Sequence, residues 1–137
     1  MIGQWLTPLQ APLATAFYRR CGSKEKAKGD ERIAVLRNPT QQIVAVLRLA
    51  PKGEHWLLRA LLVDPAYRRQ GLALHLLQFI DAAVAEPIWC YPYPHLHGLY
   101  QRAGYQAQTS APAPILAPYQ AYCRKQPLLL MWRPPSV

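Results

Sequence analysis

The chain has 137 residues, of which 51% are hydrophobic and 17% charged. This content suits one domain with a buried core and excludes a disordered chain. Sixteen Lys and Arg against seven Asp and Glu give a net charge of +9, a field that favours anions such as nucleotides, phosphorylated cofactors or nucleic acid. The basic residues are scattered, and no zinc-finger, RRM or KH signature accompanies them, so nucleic acid is not the expected partner. No apolar run approaches the ~20 residues that span a bilayer. Met1–Arg20 lacks the basic start and apolar run of a secretory signal. Cys21, Cys90 and Cys123 are widely spaced, and neither they nor the histidines show metal-ligand spacing. The expectation is a reduced, cytoplasmic protein with a single domain over 1–137, no metal and no membrane association.

Proline punctuates the chain. Ile2–Leu6 reads as a strand. Thr7-Pro8 starts a helix that ends near Gly22. Ser23–Asp30 is a charged loop. Arg32–Arg37, Gln42–Leu49 and His55–Val63 read as three strands, joined by turns at Asn38-Pro39-Thr40 and Pro51-Lys52-Gly53, and should form an antiparallel meander. Gly71–Ala85 is a helix, with Leu72, Leu76, Phe79-Ile80 and Ala83-Val84 on one face. Ile88–Tyr91 is a buried strand, His95–Arg102 a short helix and Tyr105–Thr109 a strand. Ala111–Tyr122 is proline-rich and reads as a long loop. Pro127–Arg133 is the last strand and could lie near a sheet edge. The stretch from His55 to Tyr91 is a βαβ crossover, so its two strands should run parallel.

Between that strand and the long helix lies Val63-Asp64-Pro65-Ala66-Tyr67-Arg68-Arg69-Gln70-Gly71-Leu72-Ala73. The first amides of a helix have no partner within it, and the helix dipole adds positive potential there. Gly71 lets an anion approach the main chain, Ala73 keeps the surface small, and Arg68 and Arg69 add charge. The arrangement suits a phosphate or pyrophosphate. It has neither a Walker lysine nor the three glycines of a dinucleotide loop.

Arg68-Arg69-Gln70-Gly71-Leu72-Ala73 resembles the signature of the GNAT superfamily of acyl-CoA-dependent N-acetyltransferases: Arg or Gln, two residues, Gly, one residue, then Gly or Ala. Leu99-Tyr100-Gln101-Arg102-Ala103-Gly104-Tyr105 is similar to a second family segment, Tyr, three residues, Gly, aromatic. The element order matches over nearly the whole chain. The resemblance implies an α/β fold of the α+β kind. Its sheet is mixed and mostly antiparallel, with a central parallel βαβ crossover and helices on both faces. It implies acetyl-CoA as cosubstrate. The amides of Arg69, Gln70, Gly71, Leu72 and Ala73, with Arg68 beside them, would hold the pyrophosphate. The backbone of Leu61, Leu62 and Val63 would hold the pantetheine arm. Tyr100 would protonate the departing thiolate. The implied activity is direct acetyl transfer to a primary amine, on a small amine, amino acid or peptide. The alternative is an acetyl-CoA-binding regulatory module with little or no turnover. A monomer and a homodimer are both compatible with the sequence.

The sequence departs from the family in two places. Tyr93 stands where family members often carry an Asn. No general base stands out: Glu54 and His55 lie at the wrong end of their strand, Arg59 stays charged, and His95 and His97 flank Tyr100. Cys90 reads as a small buried hydrophobe, and His75 as a structural or exposed residue. The acceptor site implied by the family comprises Phe17–Glu31 and Ala111–Gln126. The latter holds Tyr119, Tyr122, Arg124 and Lys125, which suits an acceptor with an apolar or carboxylate-bearing part. Asp30 and Glu31 could attract an ammonium or simply face water.

Overall fold

The computed structural model describes residues 1–136. Ile2–Leu6 forms β1, and Ala11–Arg20 forms α1 behind a 3-10 turn at Pro8–Gln10. The Thr7 amide donates to Gln10 Oε1 at 2.9 Å, so the helix starts where Thr7-Pro8 predicts, with a tighter first turn. The meander follows as β2 (Arg32–Arg37), β3 (Ile43–Lys52) and β4 (His55–Val63), paired antiparallel. β3 runs past its expected end, because Pro51 and Lys52 still pair with Trp56 and His55. The turn is therefore tighter, and Gly53 takes the positive φ of 62° that a short hairpin needs.

Leu72–Ala83 forms α2 and Ile88–Cys90 forms β5, which lies parallel to β4 as the crossover predicts. A 3-10 turn at Pro94–Leu96 leads into α3, His97–Arg102. β6 is only Gln106–Ala107, because Tyr105 turns inward against the Tyr100 ring, edge to face at 5.5 Å. β7 is Met131–Arg133, shorter than the expected Pro127–Arg133: its partner β5 offers only Ile88, Trp89 and Cys90 for pairing.

The segment Ala111–Tyr122 is not a loop. Ala113–Cys123 forms a helix, α4. Pro112 and Pro114 sit at its start, where the missing amide has no intrahelical partner to lose. Pro118 lies inside and does cost a bond. Burial offsets it: Ile115 packs with Leu57, Trp89 and Leu130, and Leu116 and Tyr119 lie against that cluster.

The seven strands make one mixed sheet in the order β1-β2-β3-β4-β5-β7-β6, antiparallel except for β4 and β5. β7 is thus second from the edge, with the two-residue β6 outside it. Alternate residues divide between two faces. Ala34, Leu36, Leu47, Leu49, Leu58 and Ile88 pack with Leu76, Leu77 and Ile80 of α2 and Tyr100 of α3. Ile33, Val35 and Val46 pack on Ala14, Phe17 and Tyr18 of α1, and α4 covers the far end of that same face.

Candidate active site

The site begins with a defect in the sheet. Between Leu62 and Arg59, β4 carries one residue more than β3 opposite it, and Ala60 takes a φ of 53°. This is a β-bulge, which bends its strand. The Tyr18 hydroxyl donates to the Ala60 carbonyl at 2.8 Å and holds the bulge from α1. Pairing between β4 and β5 stops at Leu58 and Cys90, and Pro92 follows two residues later. From Arg59 to Val63 one edge of β4 therefore has no strand beside it, and the sheet is open there.

A groove of about 600 Å³ occupies that opening. Leu61, Leu62 and Val63 form one wall, and Leu96, Leu99 and Tyr100 form the other. Arg68, Arg69, Gly71, Leu72 and Ala73 close one end. The loop there is built from Asp64 outward. Its carboxylate accepts from the Ala66 amide at 2.9 Å and from Arg20 Nη1 at 2.7 Å. The Ala66 hydrogen bond, with Arg20 beside it, holds the Asp64 carboxyl below the usual carboxylate range against the opposing effect of burial. Asn38 Nδ2 donates to the Tyr67 hydroxyl at 3.0 Å and pins the next turn.

Arg69 and Gly71 both adopt positive φ, 63° and 73°. Such a left-handed sequence turns successive amides toward one side. Among the described residues, the amides of residues 68–74 have no acceptor in the protein. A Cβ placed on Gly71 would meet no protein atom within 4 Å, so the space beside it is open. Arg68, Arg69 and Arg102 border the groove, no carboxylate lines it, and none of the three arginines is in an ion pair among the described residues. The cradle offers free donors and uncompensated positive charge to an anion.

A second cavity, about 260 Å³, lies on the other side of the same gap. Leu61, Leu96 and Tyr100 belong to both. Tyr100 is 5% exposed, and burial pushes its phenol well above the ordinary range. The rest of the second cavity is lined by Arg59, Tyr91, Tyr93, Tyr122, Gln126 and Glu25, among others. Arg59 Nη2 donates to the Tyr122 hydroxyl at 2.9 Å. The Tyr91 hydroxyl donates to the Ile115 carbonyl at 2.5 Å, which ties this wall to α4.

Residues 29–107 match the family model of the acetyltransferase (GNAT) domain, more than half of the chain. The chain belongs to the GNAT acetyltransferase family. No curated protein matches its sequence. Among solved structures it is similar to ElaA of Escherichia coli, at 17% identity and a TM-score of 0.69 over 97% of this chain and 99% of that one. It is similar to a GNAT family N-acetyltransferase, YhbS, of Escherichia coli in complex with CoA, at 20% identity and a TM-score of 0.65 over 96% and 79%. It is also similar to an aminoglycoside 6'-N-acetyltransferase complexed with coenzyme A, at 12% identity and a TM-score of 0.66 over 96% and 94%. At these identities the likeness is one of fold.

Within this GNAT fold, the residues singled out in the sequence fall into three groups. Leu61, Leu62, Val63, Arg68, Arg69, Gly71, Leu72, Ala73 and Tyr100 all line the groove, whereas Gln70 does not and is exposed. His95 lines the groove, while His97 lies in a separate hollow with Gln101 and Tyr105. Tyr93 is 47% exposed and stacks on His95. Cys90 is buried, which raises its thiol well above the ordinary range, and His75 is exposed on α2. In the loop expected to receive the acceptor, Glu31 turns inward to Arg48 (3.6 Å), its side chain 1% exposed. Arg124 and Lys125 do not line the second cavity, whereas Tyr122 and Gln126 do.

Sequence reasoning missed Glu25, the one carboxylate lining that cavity among the described residues, because it read as part of a solvated run. The available signal was Arg48, a charge inside the apolar run of β3. A buried guanidinium needs acids, and Arg48 takes Glu25 at 2.7 Å and Glu31, donates to the Lys26 carbonyl, and stacks over Tyr18.

Proposed function

We propose that this GNAT chain moves an acetyl group from acetyl-CoA to a primary amine by direct attack. The observation that supports it best is the meeting of two cavities at Tyr100. One cavity has an anion cradle, and the other has a polar and aromatic lining. A donor and an acceptor entering from opposite sides would meet at that wall, and proximity of this kind is a large part of the catalysis of a bimolecular step.

The groove fits acyl-CoA on its own chemistry. The amides of residues 69–73, with Arg68 and Arg69, would hold the pyrophosphate. The open edge of β4 at Leu61, Leu62 and Val63 would give the pantetheine arm main-chain partners. When bound, acetyl-CoA supplies an activated thioester carbonyl. The amine nitrogen then forms the N–C bond, the C–S bond breaks, and the thiolate takes up a proton. Tyr100 would supply that proton. Burial keeps its phenol protonated at neutral pH, so a donor is always present for the developing negative charge on sulfur. The amine must shed its own proton, and Glu25 and His95 are the carboxylate and the imidazole among the described residues lining the two cavities.

Release of CoA in the presence of amines tests this. Tyr100→Phe should lower kcat about a hundredfold or more with little change in acetyl-CoA affinity. The wild type should show no alkaline decline assignable to Tyr100 between about pH 6 and 9, because a phenol raised above its ordinary value stays protonated there. Unchanged kcat in Tyr100→Phe with a chemistry-limited amine would remove the hydroxyl from the mechanism.

A further inference from the structure

The second cavity has a charge pattern that bears on which amines enter it. Among the described residues its lining contains one cation, Arg59, and one anion, Glu25. The two are not paired with each other. Arg59 makes a single hydrogen bond, to the neutral Tyr122 hydroxyl, and its guanidinium lies 5.9 Å from that ring. A guanidinium has five N–H donors, and the others have no acceptor among the described residues. Tyr122 therefore orients the group without neutralising it.

Glu25 is held differently. Arg48 fixes one carboxylate oxygen at 2.7 Å. Arg48 is itself 2% exposed and anchored to Glu31 and the Lys26 carbonyl. The Glu25 side chain remains 45% exposed, so it still has room for a further donor. The apolar share of the lining comes from Leu58, Leu61, Leu128 and the Tyr91 ring, which packs at 5.5 Å from Tyr119.

We propose that this cavity takes a zwitterionic acceptor, a small α-amino acid with its carboxylate on Arg59 and its ammonium drawn to Glu25. The inference rests on the acetyl-transfer reading above and narrows its substrate class. A planar guanidinium with free donors matches a carboxylate in two parallel hydrogen bonds. Glu25 disfavours acceptors that carry only negative charge. Arg48 acts on this substrate only through Glu25, as a positioning residue.

The test uses the whole protein saturated with CoA. The common L-amino acids are titrated calorimetrically, each beside its carboxamide and its decarboxylated amine, and the same panel is run with acetyl-CoA for CoA release. At least one amino acid should bind, and be turned over, roughly 10- to 100-fold better than its carboxamide and amine, the value of a hydrogen-bonded charge. Arg59→Gln should remove that preference, and Arg59→Lys should restore part of it. Equal or better use of the carboxamides or amines would overturn the proposal. So would a preference that survives in Arg59→Gln, or a panel in which no amino acid binds. Failure of acetyl transfer itself would appear separately, as a wild type that binds acetyl-CoA and amino acid without releasing CoA.

Discussion

Asp64 shows how one side chain can serve both the fold and the site. It caps the turn after β4 through the Ala66 amide and holds Arg20, whose Nη2 also donates to the Ile43 carbonyl at 2.9 Å. The cap and the ion pair favour the charged form, so the carboxyl is lowered in the folded state. A lowered carboxyl stabilises the fold above its unfolded value, near 4, and loses that contribution as pH falls through the folded value. Asp64→Ala should therefore cost about 1–2 kcal/mol at neutral pH. The gap to the wild type should narrow as pH falls below the unfolded value of about 4 and on through the lower folded value. Urea unfolding at pH 7 and at pH 3 measures both, and a gap that stays constant would show that the cap does not depend on ionisation. Asp64 was legible in the sequence as the end of a strand before a proline. Its ion pair was not, because Arg20 belongs to a helix on the other side of the meander.

Among the elements, α2 is terminated by a residue far along the chain. Arg133 of β7 is 3% exposed and donates to the carbonyls of Val84 and Glu86 at 2.6 and 2.7 Å and to Asp81 at 2.8 Å. It satisfies the carbonyl of the C-cap Val84 and that of Glu86 in the loop beyond, and places a cation where the dipole is negative. Arg133→Met should lower stability by roughly 1–3 kcal/mol, mostly from the buried Val84 carbonyl left unpaired. The urea midpoint should fall accordingly, and a loss under about 1 kcal/mol would mean that water replaces the guanidinium.

The strands and α2 could be read from the chain because β-branched runs and periodic leucines coincide there with Pro and Gly boundaries. α4 could not. Pro112, Pro114 and Pro118 read locally as breaks, and only the contact of Ile115 with Leu57 and Trp89 makes the helix favourable. The loop proposed for the cofactor could be picked out because its chemistry is contiguous, from Arg68 to Ala73. The second cavity was legible only in part: Glu25 and Tyr122 fall in the two stretches implied for the acceptor, but Arg59 was set aside, and nothing in chain order brings the three together.

At the scale of the whole molecule, the net charge of +9 leaves most of the cations without an acidic partner among the described residues. Glu25, Glu31, Asp64 and Asp81 are in ion pairs with Arg48, Arg20 and Arg133. None of these acids lines the groove, where Arg68, Arg69 and Arg102 stand. Composition announced a basic protein, and Arg68, Arg69 and Arg102 stand together at one cleft with no carboxylate beside them among the described residues, where low-dielectric walls strengthen the field. An anionic ligand bound there should lose affinity as salt is raised.

Calorimetric titration with acetyl-CoA, of the wild type beside the Arg69→Glu, Gly71→Glu double variant, tests that assignment most directly. The account predicts saturable binding at one site, weaker in high salt, and at least about a hundredfold weaker in the variant, where two carboxylates replace a cation and an open approach to the main chain. A folded wild type that binds no acetyl-CoA, or a folded variant that binds it equally well, would contradict the assignment of this loop as the cofactor cradle.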